Sequence, residues 1–250
     1  MPTTTTSEGT APAAIERALT LDILRGRYAA SGRLPTVREL AVAHRVTPAT
    51  IQRVVARLET RGLVTARQGS GLHVNDPATI GDLSLAPYWL EATLEEPARA
   101  VRILGDFLEV RRVVATRLMV RHRGEILAQA PVLAAAAEAM ARASEGDLDA
   151  LREADLGFAR ALLRATGNVV ALGVLNTMAR VLEEVPSVAE AMYAEPERNA
   201  SSMSAVLQAL IEVPKDLDAR IEAAFVTVDE RTLARFERLL RRRSSKGARA

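Results

Sequence analysis

Cysteine is absent from all 250 residues, which removes disulfides, thiolate nucleophiles and cysteine-ligated metals together. Histidine is nearly absent: His44, His73 and His122 are the only three. A site needing several imidazole ligands would therefore have to bring together residues far apart in the chain, and no metal is expected. The only lysines are Lys215 and Lys246, a poor basis for Schiff-base chemistry. No catalytic residues and no cofactor are expected, and the chain is not read as an enzyme. No run of about 18 apolar residues occurs, so no membrane span is expected. The opening MPTTTTSEGTAPA lacks the basic and apolar regions of a signal peptide, and a cytoplasmic location is the expectation. Aromatics make up only 3%.

What the sequence has in quantity is Ala, Leu and Val within a 48% apolar content, a composition that favours helices. The overall charge of +2 hides an uneven distribution. Residues 1–76 carry a net +4, residues 77–240 a net −7 and residues 241–250 a net +5. A basic N-terminal block on an acidic body implies that the first part faces a polyanion.

Residues 1–12, rich in Thr, Ser, Pro and Gly, read as a disordered lead. Ile15, Leu19, Ile23 and Leu24 predict a helix from Ala13 to Gly26. SGRLPTVRELAVAHRV then supplies a loop ending at Pro35, an N-cap at Thr36 and a short helix. After a turn through His44 and Arg45, Thr47 is a second N-cap with Pro48 in the first helical turn. In VTPATIQRVVARLETRGLV, Ile51, Val54, Val55 and Leu58 recur at three- and four-residue spacing and so share one buried helix face. The polar residues at the start of that helix are left pointing outward. Beyond Gly62, LVTAR and GLHV flank Gln68-Gly69-Ser70 and read as a hairpin.

Three helices and a two-stranded hairpin within about 65 residues is the order of a winged helix-turn-helix, whose second motif helix enters a major groove. The fold class is therefore mainly α, with a winged helix-turn-helix and its small β-hairpin at residues 13–76. A linker is expected at 77–86, an all-helical ligand-binding and dimerisation bundle at 87–240, and a disordered basic tail at 241–250. Helical patterns in the bundle cover about 97–122, 129–144, 147–166, 169–184, 196–213, 216–227 and 229–243, broken at Pro186 and Pro214.

The block LPTVRELAVAHRVTPATIQRVVARLETRGLVTARQGSGLHV resembles the DNA-binding domain of the GntR family of bacterial transcription regulators. It includes the L-P-x-x-R-E-L opening, the R-L-x-x-x-G-L helix exit and the G-x-G wing tip. The helical remainder, with LEVRR at 108–112 and D-x4-R-x6-GN from Asp155 to Asn168, looks like the FadR subfamily. Many members of that subfamily hold a metal through an Asp, a His four residues later and two later His. Here Asp155 matches, Ala159 stands at the second position and no histidine follows His122, so the resemblance is to the metal-free branch, which includes the fatty-acid regulator that binds long-chain acyl-CoA.

The resemblance implies double-stranded DNA as partner, read from a palindromic operator by a homodimer, with contacts from Arg38, Thr47, Ala49, Thr50, Gln52, Arg53 and the wing at Gly69. Physically, Arg38 suits phosphate or a bidentate bond to guanine, Thr47 and Thr50 suit phosphate oxygens, and Gln52 suits adenine. Arg38 could instead pair with a carboxylate of its own domain, and Arg53 and Arg57 could be solvated or paired with Glu59. In the effector domain Arg111 is the first candidate anchor for a carboxylate or phosphate, followed by Arg160, Asn168 and Asp155. The expected function is a ligand-responsive repressor whose small-molecule effector is an acyl-CoA or other apolar acid. A small organic or sugar acid is the alternative, as is a helical domain that only dimerises.

Overall fold

Thr36 and Thr47 each sit in extended backbone immediately before a run of helix-forming residues, and each accepts a hydrogen bond from the backbone N–H three residues on, Glu39 and Thr50 respectively. Those two caps start the two helices of the motif. In the computed structural model, which describes residues 11–143 and 147–247, the chain divides into two units, one ending at Thr93 and the other beginning at Leu94.

The N-terminal unit contains α1 (Ala11–Leu24), α2 (Val37–His44) and α3 (Pro48–Thr60), followed by strands β1 (Val64–Arg67) and β2 (Gly71–Val74). The strands pair antiparallel in a register that sets Val64 opposite Val74 and Arg67 opposite Gly71. Ile51, Val54 and Leu58 of α3 have no exposed surface and pack with Leu19, Ile23, Leu40 and Leu63 in one core. Three such fully buried aliphatics contribute roughly 1.5–3 kcal/mol each. Gly62 ends α3 with φ of +72°, and a Cβ there would lie 2.9 Å from the Ile80 side chain, so glycine is required by both backbone and space. On the far side of the core, buried Glu16 of α1 pairs with Arg57 and Arg61 of α3, each at 3.0 Å. Arg57 is thus tied to α1 and not to Glu59, whose carboxylate instead accepts from the backbone N–H of Ala66 at 2.7 Å.

The expected linker is folded. Residues 77–86 contain α4 (Pro77–Ile80) and a single 3-10 turn at Leu83–Leu85, and α5 (Ala86–Ala92) follows directly. Leu85, Tyr88 and Ala92 are buried in the core of the N-terminal unit. The Tyr88 ring lies beneath the Arg61 guanidinium at 4.9 Å, a favourable cation–π distance. The N-terminal unit therefore runs through Thr93, beyond the boundary expected at 76. Ala11 and Pro12 belong to α1; the rest of the expected disordered lead lies outside the described residues.

The second unit is all helical: α6 (Pro97–Arg121), α7 (Arg123–Ala128), α8 (Ala130–Ala143), α9 (Leu148–Ala165), α10 (Val169–Glu184), α11 (Pro186–Met192), α12 (Pro196–Glu212) and α13 (Leu217–Gly247). Phe158, Leu210, Ile221 and Ile126 have no exposed surface and join α7, α9, α12 and α13 in one core. The structure joins the two expected helices at 216–227 and 229–243 into the single 31-residue α13. It also places helix through Gly247 where a disordered tail is expected, the last three residues lying outside those described. Two short helices, α7 and α11, are added to the expected set. Among the described residues no helix is long and apolar enough to cross a membrane.

Candidate nucleic-acid interface and effector cavity

The outward side of the helix-turn-helix is a row of polar groups with few internal partners. Thr47, Ala49, Gln52 and Arg53 are exposed along the start of α3, and Thr50 is half-buried among them. The Thr47 and Thr50 hydroxyls lie 3.0 Å apart, and each keeps further hydrogen-bonding capacity. Arg38 is exposed in the first turn of α2, and Gly69 is exposed at the tip between β1 and β2 with φ of +73°. A Cβ at Gly69 would meet nothing within 4 Å, so only its backbone angle demands glycine.

Nine of the ten arginines of this unit divide into two sets; the tenth, Arg25, is exposed at the end of α1 without a carboxylate partner among the described residues. Arg17, Arg27, Arg57 and Arg61 pair with Glu91, Asp22 and Glu16. Arg38, Arg45 and Arg53 on the motif and Arg33 and Arg67 beside the hairpin are exposed and have no carboxylate partner among the described residues. Arg38 is therefore not drawn into its own domain. Arg33, Arg45 and Arg67 add to the residues that the sequence singles out. Arg45 holds φ of +53° in the turn between α2 and α3, donating its N–H to Ala41 and Val42, a left-handed conformation that non-glycine residues adopt at a cost. Arg33 donates to the Ser70 hydroxyl at 3.2 Å, and Ser70 lies 2.8 Å from His73 Nε2. His73 is thus a strand residue supporting the hairpin, as its position suggests. At the start of α2 the backbone N–H and hydroxyl of Thr36 hold the Glu39 carboxyl below its usual range.

In the helical unit a cavity of about 50 Å³ is lined by Arg111, Asp155, Asn199, Ser202, Met203 and Phe225 together with aliphatic neighbours from α12 and α13. Arg111 reaches it from α6, stacked over the Phe225 ring at 5.2 Å, and donates to buried Asp229 of α13. Arg112 donates to the other Asp229 oxygen at 3.0 Å. The Nε of Arg111 is buried without a hydrogen-bond partner in the protein. Burial raises the Asp229 carboxyl above its ordinary value, against the opposing pull of Arg111 and Arg112. Asp155, on α9, accepts from the Tyr193 hydroxyl at 2.8 Å. Burial likewise raises its carboxyl, while the hydrogen bond and the Arg111 charge oppose that rise. Enclosure and the adjacent carboxylate push the Tyr193 phenol well above its ordinary range.

Of the four candidate ligand residues, the structure brings Arg111 and Asp155 to one cavity. Asn168 instead caps α10, accepting from the Ala171 N–H at 3.0 Å, and neither it nor Arg160 lines the cavity. Asp229 and Tyr193, the partners that hold the first two, were not singled out from sequence. They lie 118 and 38 residues from Arg111 and Asp155, and no local pattern marks them. No cluster of three or more metal-ligating side chains occurs among the described residues.

Residues 12–74 match the family model for bacterial regulatory proteins, gntR family, and residues 106–224 match the FCD domain. Residues 12–74 are thus a GntR-type domain and residues 106–224 an FCD domain. The cavity between Arg111 and Val228 lies almost wholly within the stretch matched to that FCD domain. The N-terminal unit is similar to the uncharacterized HTH-type transcriptional regulator YhcF of Bacillus subtilis, 37% identical over 60 residues, which are 24% of this chain and 50% of that protein. The chain thus spans about half the length of this curated relative. Over 90% of the chain the fold is similar to the solved structure of Lar, which controls the expression of the Listeria monocytogenes agr system. The TM-score is 0.55 at 17% identity, covering 97% of that chain. The matched family is described as bacterial regulatory proteins, and the Bacillus subtilis relative as a transcriptional regulator.

Proposed function

We propose that this chain is a GntR-family transcription regulator that binds an operator in double-stranded DNA through α2, α3 and the hairpin, and that a small acid in the FCD cavity controls that binding. The carrying observation is the set of free arginines: Arg17, Arg27, Arg57 and Arg61 are neutralised by carboxylates, whereas Arg33, Arg38, Arg45, Arg53 and Arg67, all on the motif or at the hairpin, are exposed and unpaired among the described residues, with Arg25 at the end of α1 the one other of this kind. Unpaired guanidinium groups attract phosphates and give the salt-dependent part of DNA affinity. Arg38, Thr47, Thr50, Arg53 and the Gly69 backbone position the protein, and Gln52 with Ala49 reads base edges. A homodimer on a palindromic operator would place two such readers at symmetric half-sites. Repression in the cytoplasm is the mode that this reading assigns.

The effector reading rests on Arg111. Its charge, its unpartnered Nε and the apolar wall formed by Met203, Val206 and Phe225 suit a small acid with a short apolar end. A buried water needs about 10–15 Å³ on a comparable scale, so a cavity of about 50 Å³ favours a small organic acid. A long-chain acyl-CoA would require the surrounding helices to part. The absence of histidine beside Asp155 supports the metal-free assignment within the FadR subfamily.

Duplexes selected from a random library, followed by fluorescence anisotropy with the full chain, test the DNA reading. Selection of a symmetric site that Arg38→Ala weakens supports it, and recovery of no enriched sequence refutes it. Thermal shift with short organic acids, sugar acids and acyl-CoAs of graded length tests the effector. A response to short acids that is lost in Arg111→Ala is expected, and one that grows with acyl length would return the reading to acyl-CoA.

A further inference from the structure

The face of α6 opposite its buried side carries an unpartnered apolar pair set between opposite charges. Leu104 and Leu108 are buried on the inner face, and Arg111 and Arg112 reach inward to Asp229. On the outer face Val110 is 53% and Val113 51% exposed. Asp106 lies one turn before them and Arg117 one turn after. Both are exposed, and neither has an ion-pair partner among the described residues. Half-buried Ile103 and Val120 complete the row, Val120 also packing against the core of the bundle.

The spacing of Ile103, Asp106, Val110, Val113, Arg117 and Val120 alternates three and four residues, which is the seam of a two-helix coiled coil. The row also reads the same from either end in chemical character. About a midpoint level with Arg111 and Arg112, Val110 mirrors Val113, Asp106 mirrors Arg117 and Ile103 mirrors Val120. A two-fold axis at that level, with the helices antiparallel, sets each residue at the height of its mirror partner in the other copy. The valines then meet at the centre, and each Asp106 faces an Arg117. An isologous contact requires this self-complementarity, whereas a binding face for an unrelated protein has no reason to be symmetric. Arg102 and Arg121 come to one level at the ends of the row, where they flank the seam and remain solvated.

We propose that the outer seam of α6 is the surface through which two copies of this chain pair, antiparallel, with Val110 against Val113 and Asp106 against Arg117. This deepens the homodimer reading above and rests on it. The seam covers about 26 Å of helix.

Sedimentation equilibrium of the full chain tests it with four proteins: wild type, Asp106→Arg, Arg117→Asp and the double reversal. Wild type is expected to dimerise. Each single reversal sets like charges face to face at both symmetric contacts and should raise the dimer dissociation constant at least about tenfold. The double reversal restores opposite charges and should return the constant to within about threefold of wild type. Both positions are exposed, and circular dichroism melts of each variant check the fold. Monomeric wild type overturns both the seam and the homodimer reading. A dimeric wild type with unaffected single variants overturns the seam alone, as does a double variant no tighter than the singles.

Discussion

The Tyr193 hydroxyl donates to Asp155 across 2.8 Å, tying the end of α11 to the middle of α9 beside the Arg111 guanidinium. Asp155 is the position that suggests a metal ligand by resemblance, and here a phenol and an arginine charge surround it instead. Its charge is disfavoured by burial, so ionisation is harder in the folded chain than in the unfolded one.

The sign of the pH effect follows from that difference. Below the ordinary value of 3.8 the carboxyl is protonated in both states and contributes nothing. As pH rises above it, the unfolded chain ionises first, and stability falls until the folded carboxyl has also ionised. Asp155→Asn keeps an oxygen for the Tyr193 hydroxyl and removes the charge. Its melting temperature relative to wild type should therefore rise between pH 4 and pH 7, and parallel curves would show that Asp155 is not strained by burial.

Glu16 predicts a different sensitivity. Its carboxylate is buried and holds two arginines of α3, so Glu16→Ala should destabilise the chain by about 1.5–3 kcal/mol, the range for hydrogen bonds to charged groups. Urea unfolding followed by circular dichroism measures this. An effect below 0.5 kcal/mol, the ordinary scatter of surface substitutions, would mean that the exposed Arg57 dominates the pair.

Arg45 separates stability from function. Replacing it with glycine removes a side chain from a left-handed backbone position, and stability should stay level or rise by up to about 1 kcal/mol. DNA affinity should fall, and the slope of log affinity against log salt should become shallower by about 0.9. Melting curves and anisotropy across a salt series read the two effects independently.

Gln52→Ala should cost about 1–3 kcal/mol on the selected operator and relax base preference at one position per half-site. Uniform weakening across operator variants would reassign Gln52 to the DNA backbone.

The winged motif was legible because its signals are local. Thr36 and Thr47 mark helix starts, the 51–54–55–58 row marks a buried face, and Gly62 and Gly69 mark turns. Helix identity in the second unit was legible for the same reason. The misjudged places depend on distant partners or on proline. Pro77, Pro87 and Pro186 stand in the first turn of helices, where the missing N–H does no harm, although a proline reads equally well as a break. The two helices expected at 216–227 and 229–243 are one, and the pairing of Asp229 with two arginines of α6, made across that point, has no trace in the local sequence. The α6 seam needed the structure to show that Val110 and Val113 face away from the core.

The continuity of α13 bears on how far a local event can be felt. Ala224, Phe225 and Val228 border the cavity within its first half, and the same unbroken rod runs to Gly247, about 45 Å from its start. The far half is itself packed, with Phe236 and Leu240 buried and Arg243 paired with Glu190 of α11. One continuous element therefore borders the cavity at one end and grips α11 at the other, so that the packing around Arg111 and the position of α11 share a single rigid support.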